Sequence, residues 1–386
     1  MEVIVLAGGL GTRLRPVLPE IPKCLAPISG KPFLAWLLDY LAGQKVNHIV
    51  FAVGYMHLQV KTYVHSREWP FDYDFSIEQD PLGTGGAIKQ ALQLCQEEQV
   101  FVVNGDTFYP VDLRNIPFTA PLNLALKPLQ NFNRYGSVQF DGVLVRAFHE
   151  KAPCKEGLIN GGVYAIDRGR VDLESLPEKF SFEKEVLEPG AAVGQVGGYV
   201  SNAYFIDIGV PEDYAKAQWA VPAYFAVKEA SKAVLKADAD TLFLDRDGVL
   251  NRLRPNDYVK SWAEWEWMPG VLEEFPKWSA KFRNIVLVTN QRGVGKGLMS
   301  DSDLAAIHAR MMADIVEAGG RIDLILTCTD VQEDAPRRKP NIGMYQEACA
   351  LLDIKNGVML GDSSSDAAFA ANCGMPFILL SPEGVS

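Results

Sequence analysis

The stretch Glu2-Val3-Ile4-Val5-Leu6-Ala7-Gly8-Gly9-Leu10-Gly11-Thr12-Arg13-Leu14-Arg15-Pro16 decides how the chain begins to fold. An apolar run of strand length passes directly into a glycine-rich turn that carries two arginines. Glycines let a backbone approach a phosphate so closely that its N–H groups can cradle the oxygens. Spacing sets two rival loops aside. A dinucleotide fingerprint needs a glycine where Leu14 stands, and a P-loop needs a lysine that this turn lacks. On its own the turn is equally a tight bend with solvated arginines.

A second decisive stretch lies far downstream, at Thr241-Leu242-Phe243-Leu244-Asp245-Arg246-Asp247-Gly248-Val249. A short buried-type strand ends in two carboxylates at i and i+2, and Gly248 permits the turn. The first acid can attack phosphorus and form an aspartyl-phosphate. The second can protonate a leaving alcohol and later activate water. The same D-x-D-G pattern occurs in calcium loops, but an EF-hand needs a glutamate where Arg254 stands.

Between and beyond these stretches, apolar strand-like runs alternate with helical patterns, which predicts an α/β protein with largely parallel sheets. The 386 residues suit two or three domains. Two are expected: 1–224, a helical connector over 225–240 rich in Ala and Lys, and 241–386. Hydrophobic residues make up 48% and charged residues 22%, so a disordered or disulfide-scaffold chain is excluded. The longest apolar stretch, Trp219 to Val227, contains Pro222 and is far too short to span a bilayer. No signal peptide is read before the first strand, and the six scattered cysteines form no C-x-x-C pair. A cytoplasmic chain with reduced thiols is expected. The net charge of −11 argues against nucleic-acid binding and asks for local positive charge if the substrates are anions.

The first half carries more than its opening turn. Pro22-Lys23-Cys24-Leu25-Ala26-Pro27, Leu82-Gly83-Thr84-Gly85-Gly86-Ala87, Asn104-Gly105-Asp106, Arg134-Tyr135-Gly136, Glu150-Lys151, Asn160-Gly161-Gly162, Phe180-Ser181-Phe182-Glu183-Lys184-Glu185-Val186-Leu187 and Phe205-Ile206-Asp207-Ile208-Gly209 follow in order. Together they resemble the sugar nucleotidyltransferases over roughly residues 1–220, and within them the heptose 1-phosphate guanylyltransferases. The resemblance implies a Rossmann-like mixed sheet on which a sugar-1-phosphate oxygen attacks the α-phosphorus of a nucleoside triphosphate. Such chemistry needs positioning and charge neutralisation more than a covalent nucleophile. It implies Leu6, Ala7, Gly8, Gly9, Gly11, Thr12, Arg13, Gly83 and Thr84 around the nucleotide, with Asp106 and Asp207 on Mg²⁺. Arg13 would stabilise the leaving pyrophosphate and Lys23 the reacting phosphates. Gly136, Glu150, Lys151, Asn160 and Gly161 would hold the sugar phosphate. Glu78 stands where the resemblance puts the base-reading residue. Guanine offers two adjacent donors, which a carboxylate accepts, so Glu78 favours GTP. Gln79 is its competitor for that contact.

The second half continues with Val288-Thr289-Asn290-Gln291, Arg337-Arg338-Lys339-Pro340 and Leu360-Gly361-Asp362-Ser363-Ser364-Ser365-Asp366. This order resembles the haloacid dehalogenase superfamily over roughly 241–386, in its heptose bisphosphate and histidinol-phosphate phosphatase group. It implies a Rossmannoid sheet with Asp245 as nucleophile and Asp247 as acid/base. Thr289, Asn290, Gln291, Arg338 and Lys339 would face the substrate. Asp245, Asp362 and the Asp247 carbonyl would hold Mg²⁺, with Asp366 supporting the loop. About 40 residues separate Asp247 from Thr289 and about 50 separate Thr289 from Lys339, which leaves no room for a large cap. The group often carries a Cys/His zinc loop before R-K-P. Here only Cys328 stands in a suitable place, so no structural zinc is expected.

Taken together, the resemblances imply consecutive steps: removal of the 7-phosphate of a heptose 1,7-bisphosphate, then GTP-dependent activation of the heptose 1-phosphate. The partners would be these small molecules, with no nucleic acid and no membrane, and self-association is left open. The alternatives are mannose or another hexose 1-phosphate with an unrelated phosphatase substrate, or one catalytically silent, regulatory half.

Overall fold

Runs of Val, Ile, Leu and Phe without polar interruption form strands buried on both faces, and such strands lie side by side in parallel. A computed structural model describes residues 1–9, 11 and 13–381. The chain divides into two compact units, Met1–Gln218 and Trp219–Ser386. Both are α/β.

In the first unit the parallel strands Asp72–Ile77, His48–Val53, Glu2–Leu6 and Gln99–Asn104 lie in that order. Cys154–Asp167 joins antiparallel to Gln99–Asn104 and also pairs with Leu122–Phe132 and Gly136–Phe140, so the nine-stranded sheet of described residues is mixed. The helices Phe33–Gly43 and Gly83–Leu92 bury Leu34, Leu37, Leu38, Ile88 and Ala91. The glycine turn, Glu78 and Gly105-Asp106 all follow the carboxyl ends of parallel strands, where open α/β sheets hold ligands. A separate two-residue ladder pairs Ile206–Asp207 with Thr107–Phe108. It sets Asp207 opposite Thr107, and so beside Asp106, across a hundred residues of chain.

The second unit is a five-stranded parallel sheet in the order Leu324–Cys328, Asn284–Asn290, Thr241–Leu244, Gly357–Gly361, Phe377–Leu379. The order reverses between Thr241–Leu244 and Gly357–Gly361, and the crevice beyond that point is the expected ligand position. Asp245 and Asp362 are the first residues past those two strands. The connections hold only short elements and the helix Asp301–Glu317, with no inserted cap domain among the described residues.

Residues 225–240 read in the sequence as a connector. The structure carries one helix through Pro211–Lys236 and seats Ala223, Ala226, Val227, Ala230 and Val234 in the core of the second unit. Their three- and four-residue spacing makes an apolar stripe, so most of the segment is packed structure. No helix among the described residues is long and apolar enough to cross a membrane.

Candidate active sites

The first unit opens a cleft of about 390 Å³ whose walls include Leu6, Ala7, Gly8, Gly9, Gly11, Arg13, Lys23, Glu78, Gly83, Thr84 and Asp106. The expected nucleotide-side residues therefore converge on one site; Thr12 lies outside the described residues. The Lys23 ammonium sits 2.6 Å from Asp106 Oδ2 and 3.3 Å from Asp207 Oδ1, drawing the two carboxylates together. The Gly209 N–H donates to Asp207 Oδ1 at 2.7 Å and fixes its rotamer. Two hard carboxylates held around one cationic position are the donor set a Mg²⁺ needs.

Glu78 lies against the glycine turn. The Leu82 N–H donates to its Oε2 at 2.9 Å. A Cβ added at Gly8 would stand 2.5 Å from Oε1, the far end of the Glu78 side chain, so any side chain there would make the carboxylate shift. Burial pushes the Glu78 carboxyl above the usual range, and the Leu82 bond offsets part of that rise. Gln79, the competing reader, is exposed and does not line this cleft.

A second cleft of about 460 Å³ is walled by Gly136, Glu150, Lys151, Asn160, Gly161 and Asp207, and it shares Asn104 with the first. Asn160 Oδ1 accepts the Gly162 N–H, and its amide donates to the Tyr164 hydroxyl, both at 3.0 Å. Glu183, Lys184 and Glu188 also face this cleft, and no role was expected of them. Glu183–Leu187 is a π turn, with the Glu188 N–H bonded to the Glu183 carbonyl. In an α-helix residue 188 would sit about 140° around from residue 183. With the wider turn both side chains line the cleft, and such turns recur at functional sites.

In the second unit the Lys339 side chain is 2% exposed and its ammonium lies 2.7 Å from Asp245 Oδ1 and 2.6 Å from Asp366 Oδ1. Asp366 Oδ2 accepts from Ser363 in a capping box at the start of helix Ser364–Asn372. Both oxygens of Asp366 are thus committed to holding the lysine and the loop. Asp245, Asp362 and Asp366 form a cluster whose ligand atoms lie within 4.8 Å of one another. Burial, then the neighbouring Asp366, raises Asp362 to about 6. Burial also raises Asp245, against the pull of Lys339. Gly248 has φ +85°, and a Cβ there would meet Asp362 Oδ2 at 1.9 Å, so glycine both makes the turn and admits the acid.

Thr289 is buried and its hydroxyl accepts from Gln291 Nε2 at 2.8 Å, which leaves the O–H to donate. The side chains of Asn290 and Gln291, expected to face substrate, are engaged by protein groups. Asn290 exchanges two hydrogen bonds with the backbone of Lys339, at 3.0 and 3.1 Å. Gln291 is fully buried and donates to Asp247 Oδ2 at 2.7 Å. Both steady the catalytic loops from behind, which a residue-type pattern does not distinguish from facing forward. Arg338 is half-buried, and its Nη1 is enclosed without a partner among the described residues. Cys328 lies beside Asp330, with Sγ 3.5 Å from Oδ2.

A nucleotidyl transferase family model matches residues 2–223, and a HAD-hydrolase-like model matches residues 336–384. The chain belongs to the nucleotidyl transferase family through its first unit and to the HAD-type phosphatases through its second. It is an enzyme of two chemistries, nucleotidyl transfer and phosphate-ester hydrolysis. It is 49% identical over 223 residues to the D-glycero-alpha-D-manno-heptose 1-phosphate guanylyltransferase of Aneurinibacillus thermoaerophilus, covering 56% of this chain and 97% of that protein. It is 39% identical over 139 residues to the D-glycero-alpha-D-manno-heptose-1,7-bisphosphate 7-phosphatase of Mycobacterium tuberculosis, covering 34% of this chain and 71% of that protein. A crystal structure of HddC from Yersinia pseudotuberculosis complexed with GMP-PN is 38% identical with a TM-score of 0.52, over 56% of this chain and 97% of that one.

Proposed function

We propose that the chain converts D-glycero-α-D-manno-heptose 1,7-bisphosphate into GDP-heptose in two steps, with the activities assigned to residues 1–224 and 241–386. The observation that carries this reading is the pairing in one chain of relatives named for a 7-phosphatase and a 1-phosphate guanylyltransferase. The product of the first reaction is the substrate of the second.

In hydrolysis, Asp245 attacks the phosphorus of the 7-phosphate and the P–O bond to the sugar breaks. Asp247 gives its proton to the departing oxygen. Asp247 then takes a proton from water as the water oxygen attacks the aspartyl-phosphate, freeing orthophosphate and the Asp245 carboxylate. Lys339 neutralises the nucleophile, Thr289 holds the phosphoryl oxygens, and Arg338 offers its enclosed Nη1 to an anion. In transfer, an oxygen of heptose 1-phosphate attacks the α-phosphorus of GTP, and the bond to the β-phosphate bridging oxygen breaks. Arg13 and Lys23 meet the negative charge that develops, Lys151 grips the sugar phosphate, and Glu78 accepts from the guanine edge.

Asp106 with Asp207, and Asp245 with Asp362 and the Asp247 carbonyl, would each hold Mg²⁺. Both donor sets are hard oxygens, and Asp245 and Asp362 are raised first by burial and then by the acids beside them. Bound Mg²⁺ supplies charge neutralisation on phosphate oxygens. A cytoplasmic setting accords with six free cysteines.

The test follows phosphate and GDP-heptose separately. Asp245→Asn loses phosphate release but still guanylylates supplied heptose 1-phosphate, and Asp106→Asn does the reverse. Wild-type chain that leaves the bisphosphate untouched but accepts mannose 1-phosphate overturns the heptose assignment.

A further inference from the structure

Arg246 lies between the two acids of the phosphatase motif and takes no part in the steps above. It is completely buried. Its Nη2 donates to Asp247 Oδ1 at 3.1 Å, and Asn251 Nδ2 donates to the same oxygen at 2.9 Å. Asp247 Oδ2 takes a single donor, Gln291 Nε2 at 2.7 Å. A carboxylate oxygen has about two acceptor directions. Oδ1 is therefore saturated, once by a cation, while Oδ2 keeps one direction open. The Asp247 side chain is 26% exposed, so that open direction has access to the crevice.

The arginine is itself held from behind. Its Nη1 faces His308 Nε2 at 3.4 Å, and an arginine can only donate, so this ring nitrogen accepts. Burial, and then Arg246, hold the His308 imidazole down to about 4, which agrees with a neutral acceptor. The Trp265 ring covers the guanidinium at 5.8 Å. A fully buried cation with one ionic partner is costly to keep, and its placement matters here because the partner is an acid/base.

We propose that Arg246, with Asn251, is a positioning residue that pins Oδ1 of Asp247, so that Oδ2 alone carries the proton exchanged with the sugar leaving group and with water. Gln291 completes the arrangement. It donates to both Asp247 Oδ2 and Thr289 Oγ1, and so sets the spacing between the proton-carrying oxygen and the hydroxyl that holds the phosphoryl group. The inference rests on the acid/base role of Asp247 proposed above.

A double-mutant cycle on the 386-residue chain tests it, reading phosphate release from the bisphosphate. Arg246→Met is expected to lower kcat about 100-fold with KM changed less than about threefold, the size of a mispositioned catalytic group. Arg246→Lys recovers part of the loss. In an Asp247→Asn background, Arg246→Met costs nothing further, because a residue acting through Asp247 has nothing left to position. His308→Leu, which leaves the motif intact, is the second variant. It shows the same kcat-only loss at about 10-fold and the same silence beside Asp247→Asn, and it stands in if Arg246→Met does not fold. Losses that multiply in the double variants, or that fall on KM, overturn the proposal, as do folded single variants with wild-type kcat. If wild type releases no phosphate from the bisphosphate, the substrate reading fails instead. The cycle is then read on 4-nitrophenyl phosphate in the slow dephosphorylation that follows nitrophenolate release, where the same non-additivity is expected and its absence overturns the proposal.

Discussion

Glu78 carries the choice of base under the proposed reading. Its Oε2 is tied to the Leu82 N–H, and its Oε1 lies on the side of the glycine turn, within reach of any side chain built at Gly8. Glutamine at this position would offer one donor and one acceptor to an edge with two donors. Glu78→Gln is therefore expected to lower kcat/KM for GTP by about 1.5–3 kcal/mol, roughly 10- to 100-fold, and to raise the relative use of UTP. Steady-state kinetics with both nucleotides reads this. Because burial raises the carboxyl, KM for GTP should climb on acidification from a higher pH than an ordinary glutamate would give, and the climb should be absent in Glu78→Gln. The residue and its neighbour Gln79 were distinguishable in the sequence only through the chemistry of the base. The structure separates them just past the strand end, where Glu78 lines the cleft and Gln79 is exposed.

The element that was least legible is the π turn Glu183–Leu187. The run Phe180–Leu187 stands out in the sequence, but a helical reading at 100° per residue splays Glu183 and Glu188 apart. Only the i→i+5 bond brings them to one wall with Lys184. If they read sugar hydroxyls, Glu183→Gln and Glu188→Gln each raise KM for the sugar phosphate about 10-fold and leave KM for GTP unchanged. The glycine turn and the D-x-D-G strand end were legible because their spacing is local. The boundary segment was read as a helical connector, and the structure carries it in one helix packed into the second unit's core. Three of the five residues in its apolar stripe are alanines, which resemble surface as readily as core. Its anchor is Glu274, 2% exposed, which meets Lys228 at 2.6 Å and Ser231 at 2.7 Å on that helix, and also Lys277. Those partners hold the Glu274 carboxyl below its usual range despite burial. A depressed acid contributes stability above the ordinary carboxylate range and loses it as pH falls through the folded value. Glu274→Gln should cost the second unit about 2 kcal/mol at neutral pH, and the difference from wild type should shrink on acidification. Chemical denaturation of the full chain, followed through the tryptophans, reads both.

Two units with separate cores put two chemistries on one chain, and both use an internal lysine to hold paired acids. The division into halves was legible because each opens with its own strand and turn. The two carboxylate pairs of partners far apart in sequence, Asp106 with Asp207 and Asp245 with Asp362, were legible only as motif order. Their meeting depends on a two-residue ladder in one unit and on strand order in the other. If heptose 1-phosphate leaves one unit and enters the other through solution, Asp245→Asn and Asp106→Asn chains mixed together should make GDP-heptose from the bisphosphate. The rate should depend on the concentration of each, measured by nucleotide-sugar chromatography. Failure of the mixture, with each variant keeping its other activity, would show that the intermediate does not exchange.

The contact between Gly8 and Glu78 reaches beyond either residue. A methyl group at position 8 would crowd Glu78 Oε1 and shift the acid proposed to read the base. Positions 8 and 78 are therefore coupled in space on one wall of the cleft. Under the proposed reading, a side chain at residue 8 is expected to loosen base choice by moving Glu78 while leaving its carboxylate in the sequence.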